Sequence, residues 1–254
     1  DGVPTQGLGE FNSVVEVGAP APAPRMIWLP RFRSEILDNE REVYVHLPAS
    51  YDAEPGRRYP ALYVHDGNES IARSQFHEVA ARWARERPAD ELILVFVGLP
   101  SQDVRMQEYT MGAPDSRGED YARMLAEELV PRIDQGLRTR AERGGRGLVG
   151  ASLGGLISYW TAAHHSETFE YTAGMSSSFF WEDDLMIETI EQRGCQDLRY
   201  YLDSGSPDDN SGVTRRMRQV LEDLGCPHDH VEEAGGRHEW SYWRGRFPNV
   251  LESF

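Results

Sequence analysis

The chain has 254 residues, 39% of them hydrophobic, and a formal net charge of −16, a size that suits one large α/β domain with a sizeable core. The charge argues against a nucleic-acid partner, because phosphate binding needs clustered cations, and the longest strongly apolar run, Leu92 to Leu99, is far too short to span a bilayer. Every basic side chain is arginine, so Ser–Lys catalysis and lysine Schiff-base chemistry are excluded.

In chain order, Ser13 to Val17 and Met26 to Leu29 read as antiparallel edge strands, and the Pro/Ala stretch Ala19 to Pro24 between them reads as a stiff connection or, in preference, a plain linker. From residue 41 strands and helices alternate. Strands are predicted at Glu42 to Leu47, Ala61 to His65, Leu92 to Val97, Gly147 to Gly150, Tyr171 to Met175, Leu198 to Asp203 and His230 to Glu233. Helices are predicted at Ser74 to Arg85, Asp120 to Gly136, Leu153 to His164, Asp184 to Gln192 and Val213 to Leu224, with a terminal one from Trp240. This alternation predicts a single domain, residues 1–254, with a mostly parallel central sheet and helices on both faces. Tyr121, Leu125, Leu129 and Ile133 form the stripe of a helix packed on that sheet, with Pro131 expected to kink or tighten its last turn.

Cys195 and Cys226, the only cysteines, each stand just ahead of a predicted strand. Parallel neighbours would bring those starts together, so a disulfide and two buried thiols both remain open. No zinc-ligand spacing is present, and no metal or cofactor is expected. The chain opens at Asp1 without a basic and apolar leader, so any signal peptide is expected to have been removed or never to have existed, and the compartment stays open.

Gly147-Leu148-Val149-Gly150-Ala151-Ser152-Leu153-Gly154 reads as a short strand, a sharp turn and a helix start. That is the context a GxSxG nucleophile needs: the small flanking residues let the turn close and hold the Ser152 hydroxyl out at the sheet's carboxyl edge. The backbone N–H of Leu153 is then placed for an oxyanion. A serine needs a base and a group to orient it. Among the later histidines, His228 and His230 belong to the last strand, whereas His238 lies in the loop between that strand and the final helix and is the expected general base. The acid is expected in the loop after Asp203, with Asp208 preferred and Asp209 as the alternative.

With Val43 to Pro48, Tyr59 to Gly67, Arg105, Glu108-Tyr109, Gly150 to Gly155, Ser176 to Trp181 and His238 to Gly245 in this order, the chain from residue 41 resembles the esterase D and enterochelin-esterase group of α/β hydrolases. That group includes feruloyl and acetyl esterases. The group usually has its histidine directly after the glycine pair, where this chain interposes Arg237. The resemblance implies the α/β-hydrolase fold and a first oxyanion donor at Gly67 or Asn68, with Arg105, Tyr109 and Trp181 lining the substrate pocket beside Asn68. It further implies a serine carboxylesterase acting on a siderophore lactone or a feruloyl or acetyl ester, small or polysaccharide-linked. A noncatalytic binding protein and an acyltransferase are the competing functions. A serine esterase is expected to gain activity as pH rises through neutrality and to survive chelation.

Overall fold

A computed structural model describes residues 23–254. Its elements in chain order are β1 (Arg25–Ser34), β2 (Asn39–Leu47), β3 (Ala61–Val64), α1 (Gly67–Ala72), α2 (Phe76–Glu86), β4 (Ile93–Val97), α3 (Arg105–Glu108), α4 (Gly118–Arg123), α5 (Val130–Gly136), β5 (Arg146–Ala151), α6 (Leu153–His164), β6 (Tyr171–Met175), α7 (Trp181–Arg193), β7 (Arg199–Ser206), α8 (Ser211–Asp223), β8 (His228–Ala234) and α9 (Trp240–Ser253). The eight strands form one sheet in the order β1-β2-β4-β3-β5-β6-β7-β8. Strands β4 to β8 of that order run parallel, while β1 and β2 pair antiparallel at one edge. The expected edge strand at Met26 to Leu29 is thus the core of β1; Ser13 to Val17 lies outside the described residues.

The inner strands β3 to β6 are buried on both faces, while the edge strands β1 and β8 are partly exposed. In β4 the side chains of Ile93, Val95 and Val97 join one apolar cluster and those of Leu94 and Phe96 the other, which is why this run is uniformly apolar rather than alternating. Helices α4, α5, α6 and α8 cover the first face through Tyr121, Ile133, Leu156 and Met217. Helices α2 and α9 cover the second, where Phe76 and Phe247 stack with ring centroids 4.0 Å apart.

Pro131 acts differently from expectation. Between α4 and α5 the helix widens into a π-helical stretch, Met124–Leu129, just upstream of the proline. Pro131 has no N–H to return to the preceding turn, so the turn expands rather than tightens. The stripe itself is retained, with Tyr121, Leu125, Leu129 and Ile133 all at most 1% exposed.

Cys195 and Cys226 form a disulfide that ties the approach to β7 to the approach to β8 across 31 residues of sequence. Closing a loop of that length removes unfolded-state entropy equivalent to about 4 kcal/mol. The double variant Cys195→Ser/Cys226→Ser should therefore melt about 8–15 °C lower than the oxidised protein, given about 2–4 °C per kcal/mol at this chain size. Equal melting temperatures would show that the crosslink contributes nothing.

Candidate active site

The site is built where β5 turns into α6. Ser152 sits between them with φ 59° and ψ −121°, a strained conformation that aims its side chain off the carboxyl edge of the sheet. The turn closes only because its flanking residues lack side chains. A Cβ on Gly150 would lie 2.7 Å from the Cα of Gly154 and closer still to its carbonyl, and one on Gly154 would lie 3.1 Å from Asp66 Oδ2. Leu153 is the first residue of α6, so its amide has no acceptor within the helix. Ser152 Oγ stands 3.2 Å from Ser178 Oγ, in the segment after β6.

The carboxylate that meets His238 is not that of the preferred Asp208 but that of the alternative, Asp209. His238 Nδ1 lies 2.7 Å from Asp209 Oδ1, whereas Asp208 points into solvent. The reason is local: Asp209 Oδ2 accepts the Gly205 amide at 2.8 Å and the Ser176 hydroxyl at 2.7 Å, which turns this carboxylate inward and its neighbour outward. Burial opposes ionisation of Asp209, but the hydrogen bonds from His238, Ser176 and the Gly205 amide outweigh it and hold the carboxyl below its ordinary range. Arg237 loops outward, exposed, and does not keep His238 from Asp209. Close approach of two glycines seats this loop, since a Cβ on Gly205 would meet the Cα of Gly236 at 2.6 Å.

Behind the pair lies a buried polar network. Arg246 of α9, only 3% exposed, donates from Nε to Asp203 at 3.0 Å, from Nη1 to Glu233 at 3.1 Å, and from Nη2 to Ser176 at 2.7 Å and Asp209 at 3.2 Å. Trp243 Nε1 also donates to Ser176 Oγ at 3.0 Å, and its ring meets His238 edge-on at 4.9 Å. Asp203, within β7, has its carboxyl pushed up to about 6 by burial, against the pull of Arg246 and the Tyr201 hydroxyl. His65, the buried histidine near the elbow, is pushed down to about 3 by burial and then by Arg105, so it stays neutral and bonds Tyr121.

Ser152 and His238 open on one cleft of about 870 Å³. Its other walls come from Asp66, Glu69, Arg73, Gln102 and Arg105 on one side and from Glu239 to Ser241 and Trp243 on the other. Arg105 forks onto Asp66, with Nε at 2.6 Å and Nη2 at 2.8 Å, and Arg73 lies 5.5 Å over the Trp240 ring.

Three residues expected in the pocket lie elsewhere. The Asn68 amide is turned onto Glu42 at 3.0 Å. Tyr109 is fully buried and accepts the Asp66 N–H at 2.9 Å, and Trp181 donates to the Met111 carbonyl at 2.8 Å. None of the three lines the cleft. Gly67 opens α1, but its missing side chain answers to β4: a Cβ there would come within 2.8 Å of the Phe96 and Val97 carbonyl carbons. The sequence reading missed Trp240 and Trp243, whose spacing of three on a helix puts them on one face, and Arg246, which carries no motif. Among the described residues no group of three or more His, Cys, Asp or Glu is placed to hold a metal, and no helix is long and apolar enough to cross a membrane.

The model of the Esterase family, described as "Putative esterase", matches residues 34–254. Two uncharacterized proteins of Bacillus subtilis (strain 168), YjcH and YbbA, are each 26% identical to the chain, over 84% and 86% of it and 91% and 94% of their own lengths. Among solved structures, a ferulic acid esterase superposes with a TM-score of 0.76 at 22% identity, over 91% of this chain and 100% of its own. The enterochelin esterase of Shigella flexneri gives 0.78 at 18%, over 92% of this chain and 59% of its own. An IroE-like serine hydrolase from Shewanella oneidensis gives 0.73 at 17%, over 90% and 80%. These likenesses show a shared fold, and the family model, matched over most of the chain, shows that this α/β-hydrolase-fold protein belongs to the Esterase family of carboxylic ester hydrolases.

Proposed function

We propose that the chain is a serine carboxylesterase working through an acyl-Ser152 intermediate, with His238 as base and Asp209 as its orienting acid. The observation that carries this is the 2.7 Å contact of Asp209 with His238 Nδ1, in a cleft shared with a serine held on a strained strand-to-helix turn. Asp209 fixes the imidazole with its proton on Nδ1, which leaves Nε2 as the base. For the reaction the Ser152 hydroxyl has to leave Ser178, its partner at 3.2 Å, and turn to that nitrogen across the shared cleft. Oγ then attacks the ester carbonyl as its proton passes to Nε2, and the negative charge gathers on the carbonyl oxygen. The Leu153 amide and the Gly67 amide, each the first of its helix on neighbouring strands β5 and β3, supply the oxyanion donors. His238 returns the proton to the departing alkoxide, and water activated by the same nitrogen releases the acid.

The acyl group is read from the indoles and arginines that line the cleft. Trp240 supplies an aromatic wall for an aromatic acid, backed by the buried Trp243, and the guanidinium of Arg73 beside it supplies charge for phenolic oxygens, Arg105 being already paired with Asp66. A relative from Xylanibacter ruminicola, 22% identical over 87% of this chain, is named an endo-1,4-beta-xylanase/feruloyl esterase, and the structural neighbours act, by name, on ferulic acid esters and enterobactin. The substrate class is therefore a hydroxylated aromatic acyl ester, of the feruloyl or catechol-trilactone kind. Methyl ferulate, a catechol trilactone and p-nitrophenyl acetate, run side by side, should show kcat/KM at least about tenfold higher on one of the aromatic esters than on the acetate, a difference of about 1.4 kcal/mol in transition-state binding. Ser152→Ala should abolish all three activities. Hydrolysis that persists in Ser152→Ala would overturn the mechanism, and preference for the acetate would overturn the substrate class.

A further inference from the structure

Building on the serine mechanism above, we propose that Arg246 is a positioning residue whose single charge, divided between Asp203 and Asp209, sets the pH range over which the Asp209–His238 pair can act as base. The geometry is that of a shared cation. Its Nε faces Asp203 at 3.0 Å and its Nη2 faces Asp209 at 3.2 Å, while the same Nη2 holds Ser176, which itself donates to Asp209. Both carboxylates are fully buried, at 0% exposure. Two buried anions that share one cation compete for it, because neither has water to fall back on.

The consequence follows from which carboxylate is charged. When Asp203 is ionised it takes up much of the guanidinium charge, and Asp209 remains a strong acceptor for the imidazolium. When Asp203 is neutral, the full positive charge bears on Asp209, which then stabilises the imidazolium less, so base action persists to lower pH. The Asp203 carboxyl, lifted by burial, changes state within the range where an esterase of this kind gains its activity. Glu233, the third acceptor of Arg246, has a side chain 42% exposed and is screened by solvent. The other groups facing the network are Tyr201, which donates to Asp203 at 3.0 Å, and Trp243, which is uncharged. From the cleft side His238 looks toward Asp66, Glu69, Arg73, Arg105 and Glu239. Among the described residues only Asp209 is within ion-pair distance of it.

The test is the rate at which a fluorophosphonate labels the folded chain between about pH 5 and 9, which follows formation of the free base without requiring the natural substrate. Arg246→Gln removes the positive charge and should move the acidic limb of the profile up by about half a unit to one unit, and Asp203→Asn removes the negative charge and should move it down by a similar amount. Arg246→Lys keeps the charge without the fork. Its limb should stay in place while its maximal rate falls. A residue that merely packs would lower rates without displacing the two limbs in opposite directions. If Arg246→Gln does not fold, a downward shift in Asp203→Asn with an unshifted limb in Arg246→Lys sustains the proposal. Unshifted limbs, or shifts of one sign in both charge variants, overturn it while leaving the serine mechanism intact. A wild-type chain that does not label at all overturns the mechanism itself.

Discussion

Asp209→Asn is expected to lower kcat/KM about a thousand- to ten-thousand-fold, the range seen when a triad aspartate loses its charge, and Asp208→Asn to leave it within about twofold. Asp209 is the meeting point of five groups: His238, Ser176, Arg246, the Gly205 amide and, through Arg246, Asp203. An amide in its place turns an N–H toward donors on one side or the other. Either the Gly205 and Ser176 hydrogens lose their acceptor, or the imidazole is offered a donor and adopts the tautomer with Nε2 protonated, which cannot take the serine proton. Asp208 has none of these partners and faces solvent. The two variants carry the same change in net charge, so a difference between them isolates position. Steady-state kinetics on any accepted ester, with melting curves to confirm folding, decides the matter. Equal losses in both, or a loss confined to Asp208→Asn, would return the acid to the residue favoured by sequence.

Gly150→Ala is expected to be strongly damaging for a single added methyl, costing on the order of 3–5 kcal/mol. Its Cβ would fall 2.7 Å from the Gly154 Cα and nearer still to the Gly154 carbonyl. All of these are backbone atoms, so no rotamer change relieves the clash, and the turn from β5 to α6 must open. Opening it also withdraws the Ser152 hydroxyl from the cleft. Gly212 provides the contrast, since it lies in α8 with nothing within 4 Å of a Cβ. Gly212→Ala should be neutral or stabilising by up to about 1 kcal/mol through helix propensity. Denaturation midpoints of the two variants measure the difference; a Gly150→Ala protein as stable and active as wild type would mean that the elbow is not this tight.

Much of the fold was legible because the signals are local. Leu92 to Val97 is apolar without alternation and becomes a strand buried on both faces, and the predicted helix Leu153 to His164 and strand Tyr171 to Met175 coincide with α6 and β6. Alternation of strands and helices leaves little freedom in topology once crossovers are right-handed. Side-chain direction is a different matter. Asp208 and Asp209 are adjacent in the same acidic turn, and what separates them is a backbone amide at Gly205 and a guanidinium far along the chain at Arg246, neither visible in the spacing. Asn68, Tyr109 and Trp181 stand near the site in sequence order, yet each is held by another group: Glu42, the Asp66 amide and the Met111 carbonyl. The disulfide was readable as far as the position of its cysteines, at the starts of two strands that prove to be parallel neighbours.

The most direct measurement of the mechanism is mass spectrometry of the folded chain after treatment with a fluorophosphonate. One adduct per chain is predicted, on the peptide carrying Ser152, absent in Ser152→Ala and formed far more slowly in His238→Ala. No adduct, or an adduct on Ser178 in place of Ser152, would contradict the assignment of Ser152 as the nucleophile.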